Sequence, residues 1–279
     1  MSLFSRIKRV VPRIIVPRRK VITMSGGWEP DPPSSSYWDA KGMPRAAKII
    51  DPVEDVREVY FIPENTPISS QGMDPTCVSN SCVDGFEILQ GLQGQVVQWS
   101  RMFLHNNVRL SMDTLHKDGG AYIWKALDVM RHVGLPPEYM YPHDSKLKHK
   151  RPPRYLYMHA AKNKLMSYWR VTSQDDAYVR DVIRILRNNN PVVFGTVVGA
   201  KYKAYRGEHD NAFGFPSDDG GRHAMLLTGY RITNAGRVHF WCRNSWSRHW
   251  GKNGHAWLDQ SYMTHRKTRD TWALTRFGK

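Results

Sequence analysis

The sequence predicts an α+β fold, with helices first, strands later, and two sub-regions that meet at a cleft. Helical periodicity runs through much of the stretch from Cys77 to Gly134. Short β-branched and aromatic runs, bounded by Gly, Asn and Pro, follow Asn190. The texture changes once, after "DDAYVRDVIRILRNNN", and such segregation argues against an alternating βαβ order. A length of 279 residues suits one large domain or two small ones, and 41% hydrophobic residues with ten Trp and thirteen Tyr indicate a globular chain.

Residues 1–35 read as a basic, flexible N-terminal tail closed by "PDPPSSS", and 36–279 as the folded domain, left about 66–170 and right about 171–279. Residues 36–70 hold short extended runs and turns. In "CVSNSCVDGFEILQGLQ" the apolar positions Val78, Cys82, Phe86 and Leu89 share one helical face, with Pro75 and Thr76 suited to its start. "WSRMFLHNNVRLSM" and "IWKALDVMRHVG" are the next helices, the second stopped by Gly134 and the prolines beyond it. Residues 146–170 are basic and irregular, and a helix follows from Asp175. "PVVFGTVVG", "HAMLLTGYRI" and "VHFWCRN" are strands.

Lys and Arg number 41 against 25 Asp and Glu, a formal charge of +16, which favours polyanions or acidic partners without specifying one. Contact with a polyanion or nucleic acid is assigned to the basic tail and to 146–170, where eight Lys/Arg and no acid are interleaved with Tyr and Trp. A solvated loop is the plainer account of that run. No stretch reaches the roughly 18 apolar residues of a membrane span. Oligomeric state is open.

Three cysteines are too few for a disulfide-stapled secreted domain, so an intracellular, reducing, cytoplasmic setting is expected, with packaging in a virion as a variant. Cys77 and Cys82 would sit about 140° apart on a helix and lack the C-x-x-C spacing of a zinc site. No metal and no cofactor is expected. Cys77 at a helix start is placed for a stabilised thiolate. Such a nucleophile needs a histidine from elsewhere. Among twelve histidines His223 stands out, because it opens a strand after a Gly-Gly turn. Asn244, at the end of another strand and followed by Trp246, could orient an imidazole without adding charge. Each signal alone has a plain structural explanation.

Together they resemble the papain-like (C1-type) cysteine peptidases. The family's segment before its nucleophile is matched by "TPISSQG", with Gln71 six residues before Cys77. Its histidine strand is matched by "HAMLLTGY", and its asparagine motif by "NSWSRHWGKNG". His223 and Asn244 lie 146 and 167 residues after Cys77, against roughly 130–150 for the family. Its cleft Gly-Gly is matched by Gly119 and Gly120. The resemblance implies a thiol endopeptidase with a Cys77–His223–Asn244 triad and an acyl-enzyme intermediate. It also implies an oxyanion hole from Gln71 and the Cys77 backbone, Trp246 covering the His–Asn contact, and Gly119 and Gly120 beside a peptide or protein substrate.

Several positions depart from the family. Val78 stands where a Trp is common, Asp74 adds a carboxylate, and Ser247 replaces a Gly. Arg222, beside His223, is expected to disfavour an imidazolium. The stretch before Cys77 is too short for the long inhibitory pro-domain of secreted members, so control is expected from localisation or a partner, if any. The missing disulfide cysteines suggest a divergent bacterial or viral branch. The alternative reading is a catalytically inactive relative that binds nucleic acid or serves as a structural, virion-associated component.

Overall fold

A computed structural model of the chain describes residues 26–32 and 59–275. Most of the expected tail and part of the 36–70 stretch lie outside the described residues. The elements run β1 (Val59–Phe61), α1 (Cys77–Gly91), α2 (Arg101–Ser111), α3 (Ile123–His132), α4 (Arg154–Ala160), β2 (Ser167–Arg170), α5 (Asp175–Arg187), β3 (Val192–Val198), α6 (Ala200–Ala204), β4 (Gly221–Ile232), β5 (Val238–Arg243), β6 (His255–Asp259), α7 (Gln260–Met263) and β7 (Arg269–Thr275). The α+β architecture is as expected, with α1–α4 on one side and an antiparallel sheet on the other.

The sheet order is β2-β7-β3-β4-β5-β6. The long β4 is its spine: β3 pairs with residues 221–227, β5 with 226–232, and β1 with 229–231 on the edge that β3 leaves free. A register shift between Leu227 and Gly229 bends β4 where its partners change. The Gly221–Ile232 run is a twelve-residue strand because its middle is apolar on both faces and buried on both.

The expected apolar face of α1 is buried, but so is almost every other residue of that helix. Most of its polar side-chain groups are matched, as burial requires, while Asn80 Oδ1 has no partner among the described residues. Ser79 Oγ and Asn80 Nδ2 donate to Thr76 O, and Ser81 Oγ donates to Ala224 O on β4. Asp84 and Glu87 pair with Arg101 of α2 at 2.5 and 2.9 Å. Thr76 holds the N-cap position yet makes no capping bond; its hydroxyl instead meets His143 Nε2 at 3.1 Å.

Two helix boundaries follow local chemistry. Ser100 caps α2 by accepting from Phe103 N at 3.0 Å. Gly134 ends α3 at φ +85, where a Cβ would meet Ala160 O at 2.0 Å, so glycine is required twice over. Tertiary contacts add strands that the sequence pattern did not single out, namely β2, β6 and β7. Within the basic 146–170 stretch, α4 leaves Arg154, Tyr155, Met158 and His159 exposed. Among the described residues no helix is long and apolar enough to cross a membrane.

Candidate active site

Cys77 is the first residue of α1, and His223 lies near the start of β4. The two elements pack together, and the backbone N–H of Ala224 donates to Cys77 Sγ at 3.4 Å. The thiol therefore lies one residue from the imidazole. His223 Nε2 and Asn244 Oδ1 are 2.8 Å apart. The same Oδ1 accepts Ser245 N–H at 2.8 Å, which fixes the amide orientation. Nε2 is thus the protonated nitrogen, and Nδ1 is left as the basic one. Trp246 stacks on the ring at 4.6 Å between centroids. Its apolar face shields the His–Asn bond from water.

Gln71 is nearly fully buried. Its backbone N–H donates to Ser245 O at 2.9 Å, and its Oε1 accepts from Ser245 Oγ at 2.7 Å. Nε2 donates one hydrogen to Asp74 O at 2.9 Å, and the other hydrogen is not used by that bond. The carboxylate that Asp74 adds near the site has partners of its own: Ser145 Oγ donates to it at 2.6 Å, and Lys148 Nζ, 2.8 Å from Asp118, lies 3.4 Å from it. Ser247, at the family's Gly position, has φ +65, the conformation that a glycine there would take freely.

A buried ionic network joins the site's two halves. Arg243, next to Asn244, contacts Asp84 of α1 at 3.1 Å and Glu64 at 2.5 Å, and donates to Pro67 O at 2.6 Å. It ties the helix that starts at Cys77 to the strand that delivers Asn244. Burial would raise the Glu64 pKa, but His255 and Arg243 hold it down to about 2.

The cleft is covered at Cys77. Residues 26–32, a strap from the stretch read as tail, run along it. Glu29 N donates to Ala121 O at 2.9 Å, and Ala121 N donates to Gly27 O at 3.1 Å, so Trp28 pairs with Ala121 in parallel. Gly120 permits the close approach: a Cβ on it would meet Gly27 C at 2.9 Å. The hydrogen-bonding edge is Ala121, one residue beyond the pair Gly119 and Gly120 that the sequence pointed to. Arg109 holds the loop behind that edge, through Gly120 O, Thr114 O and Lys117 O. A Cβ on Gly27 would lie 2.7 Å from Cys77 Sγ. Trp28 is buried with its indole on Gly195, where a Cβ would meet Cε2 at 2.0 Å.

With the strap in place Cys77 is 0% and His223 3% exposed. Burial pushes the thiol up to about 12, against the backbone N–H groups of Ala224, Val78 and Gly27. Burial also lowers His223 to about 4, against its bond to Asn244. In the covered cleft both groups are therefore neutral near pH 7. The cation that lowers His223 is Lys203, not Arg222. Arg222 instead pairs with Glu29 of the strap at 2.6 Å, which corrects the expectation drawn from its place in the sequence.

A family model described as papain family cysteine protease matches residues 65–271. The chain belongs to this family. It is a papain-like cysteine peptidase, a hydrolase, as the motifs implied. A mimivirus protein (Acanthamoeba polyphaga mimivirus), described as an uncharacterised peptidase C1-like protein, is 26% identical over 238 residues, 81% of this chain and 75% of that protein. Among solved structures, xylellain, a cysteine protease from Xylella fastidiosa, is 22% identical with a TM-score of 0.72, covering 92% of this chain and 97% of its own. Digestive procathepsin L 3 of Tenebrio molitor is 19% identical with a TM-score of 0.64, covering 91% and 76%. These structures share the fold.

Sequence reasoning missed Ala121, Arg109, Gly195, Arg243 and the strap. The "GGWEP" run at 26–30 carried a usable signal: two glycines before a large aromatic allow close backbone approach next to one anchoring side chain.

Proposed function

We propose that the chain is a thiol endopeptidase in which Cys77, His223 and Asn244 form the catalytic triad. The observation that carries this reading is the His223–Asn244 bond with its fixed amide orientation, one residue from the Cys77 sulfur. His223 Nδ1 takes the thiol proton. The thiolate attacks the scissile carbonyl carbon, and the imidazolium then protonates the leaving amine. Water hydrolyses the acyl-enzyme by the same base. The free hydrogen of Gln71 Nε2 and the Cys77 N–H stabilise the tetrahedral oxyanion. Asn244 holds the ring, and Trp246 keeps its hydrogen bond dry. The substrate strand uses the Ala121 edge that the strap now occupies, with Gly119 and Gly120 leaving room for its backbone.

In this reading the strap makes the folded chain latent, so the test begins by loosening it. Gly27→Ala is treated at neutral pH with a thiol-directed epoxide and compared with its Cys77→Ala counterpart. Labelling at Cys77 well ahead of buried Cys82 and Cys242, with peptide hydrolysis lost in the counterpart, is the expected result. Equal labelling of the three thiols would count against the triad.

A second, independent role is polyanion contact along 146–170. Arg151, Arg154, Lys162 and Lys164 are exposed there beside exposed Tyr155, Met158 and Met166, and no Asp or Glu lies between Ser145 and Gln174. A salt titration of duplex DNA binding tests it, with weakening as salt rises expected.

A further inference from the structure

The far end of the strap is held by a buried pair of carboxyl groups. Asp31 N donates to Asp270 Oδ2 at 2.8 Å, and Trp272 Nε1 donates to Asp31 Oδ2 at 2.9 Å. Arg170 Nη2 lies 3.0 Å from Asp270 Oδ1. Asp31 is 9% and Asp270 4% exposed. Asp31 Oδ1 is buried with no hydrogen-bond partner among the described residues. Among the described residues the two carboxyls thus share one direct cation, and that cation is on Asp270. The groups facing the pair do not alter this count. From α3 the Trp124 backbone N–H reaches Asp31, and from α1 the Cys82 thiol faces it. On β7, Arg269 acts on Asp270.

Like charges so close cannot both ionise without a large cost. Asp31 carries the proton, because Arg170 stabilises the Asp270 anion and the unpartnered Oδ1 gains nothing from ionising. Its pKa is pushed up to about 7 by burial and by Asp270.

We infer that Asp31 and Asp270 form a proton-operated latch on the strap, closed while Asp31 is protonated and released when both carboxyls ionise, so that Cys77 is uncovered as pH rises. This deepens the reading of Cys77 as nucleophile by assigning its regulation. The proton leaves from Asp31 to solvent; no covalent bond changes. The direction follows from linkage. A docked carboxyl with a raised pKa favours docking fully below its free value of 3.8, and that advantage is lost as pH climbs to about 7. Docking weakens tenfold per pH unit across this window, on the order of 10³ in all, and levels off above it.

The test uses the full chain from pH 4 to 9, with Asp31→Asn as an isosteric neutral latch and Asp270→Asn as a second variant. The rate of Cys77 modification by iodoacetamide is read by mass spectrometry and expressed as the ratio of unaltered chain to Asp31→Asn. The ratio cancels titration of the thiol itself. It should rise by 10²–10³ up to about pH 7 and then flatten, on the linkage just given. Asp270→Asn should lose most of that slope. A second readout needs no reactive thiol: the emission difference between the chain and Trp28→Phe reports burial of the indole. It should shift to the red with rising pH, and stay fixed when Asn occupies position 31. A rate ratio independent of pH, with Trp28 buried throughout, overturns the latch even if peptides are hydrolysed. Release of Trp28 with an inert Cys77 keeps the latch and removes the peptidase reading instead.

Discussion

One methyl group should decide whether Cys77 is covered. At Gly27 an added Cβ would lie 2.7 Å from Cys77 Sγ and 2.8 Å from both Pro75 C and Pro75 O. Two of those three atoms are backbone at the start of α1, so they cannot swing aside. The neighbouring Gly26 is a built-in control, because its Cβ would meet Arg222 atoms at 3.5–3.6 Å, ordinary contact. Overpacking of the first kind costs about 1–3 kcal/mol, and here the strap, not the core, is the movable partner. That energy corresponds to a fall in strap occupancy of about 5- to 160-fold at 25 °C. Gly27→Ala should therefore be alkylated at Cys77 about 5- to 160-fold faster than the unaltered chain, while Gly26→Ala stays within about twofold. The assay is timed alkylation at fixed pH with peptide mass readout. Equal rates in the two alanine variants would refute the placement of Gly27 against the sulfur.

Other consequences are as direct. Gln71→Ala should lower kcat by about 10²–10³ while iodoacetamide still reaches Cys77 in a Gly27→Ala background, because alkylation develops no oxyanion; steady-state kinetics beside labelling rates check it. Asp84→Asn should cost about 3–5 kcal/mol in denaturant unfolding, since it leaves Arg101 and Arg243 short of their buried shared partner. Ser247→Gly should stabilise the fold by about 1 kcal/mol, relieving a non-glycine residue at φ +65, and a thermal melt should move up by a few degrees.

The legible part of the site was the part written in short, fixed patterns. Cys77 had to head a helix because Pro75 and Thr76 precede a long helical pattern. His223 and Asn244 were marked by strand runs with polar ends. The departures were harder, because their meaning depends on distant partners. Asp74 looked like an added charge, and Ser145 and Lys148 reach it from more than 70 residues away. Arg222 looked like a cation beside the imidazole, yet its guanidinium turns to Glu29, 193 residues back in sequence. The burial of α1's polar face has no local sign, since the partners of Asp84 and Glu87 are Arg101 and Arg243, brought to them only by the fold.

By itself, then, the sequence determined α1, α2, α3 and α5, the strands β3, β4 and β5, and which three side chains stand at their ends, since periodicity, turn chemistry and motif spacing are local. The tertiary structure decided what covers them. The strap lies in the cleft because Trp28 meets Ala121 and Gly195, and Asp31 meets Asp270 and Trp272, across separations that no local pattern encodes. A glycine, an indole and a buried carboxyl pair become a cover over Cys77 when folding brings those distant backbone and side-chain groups within hydrogen-bonding and van der Waals reach.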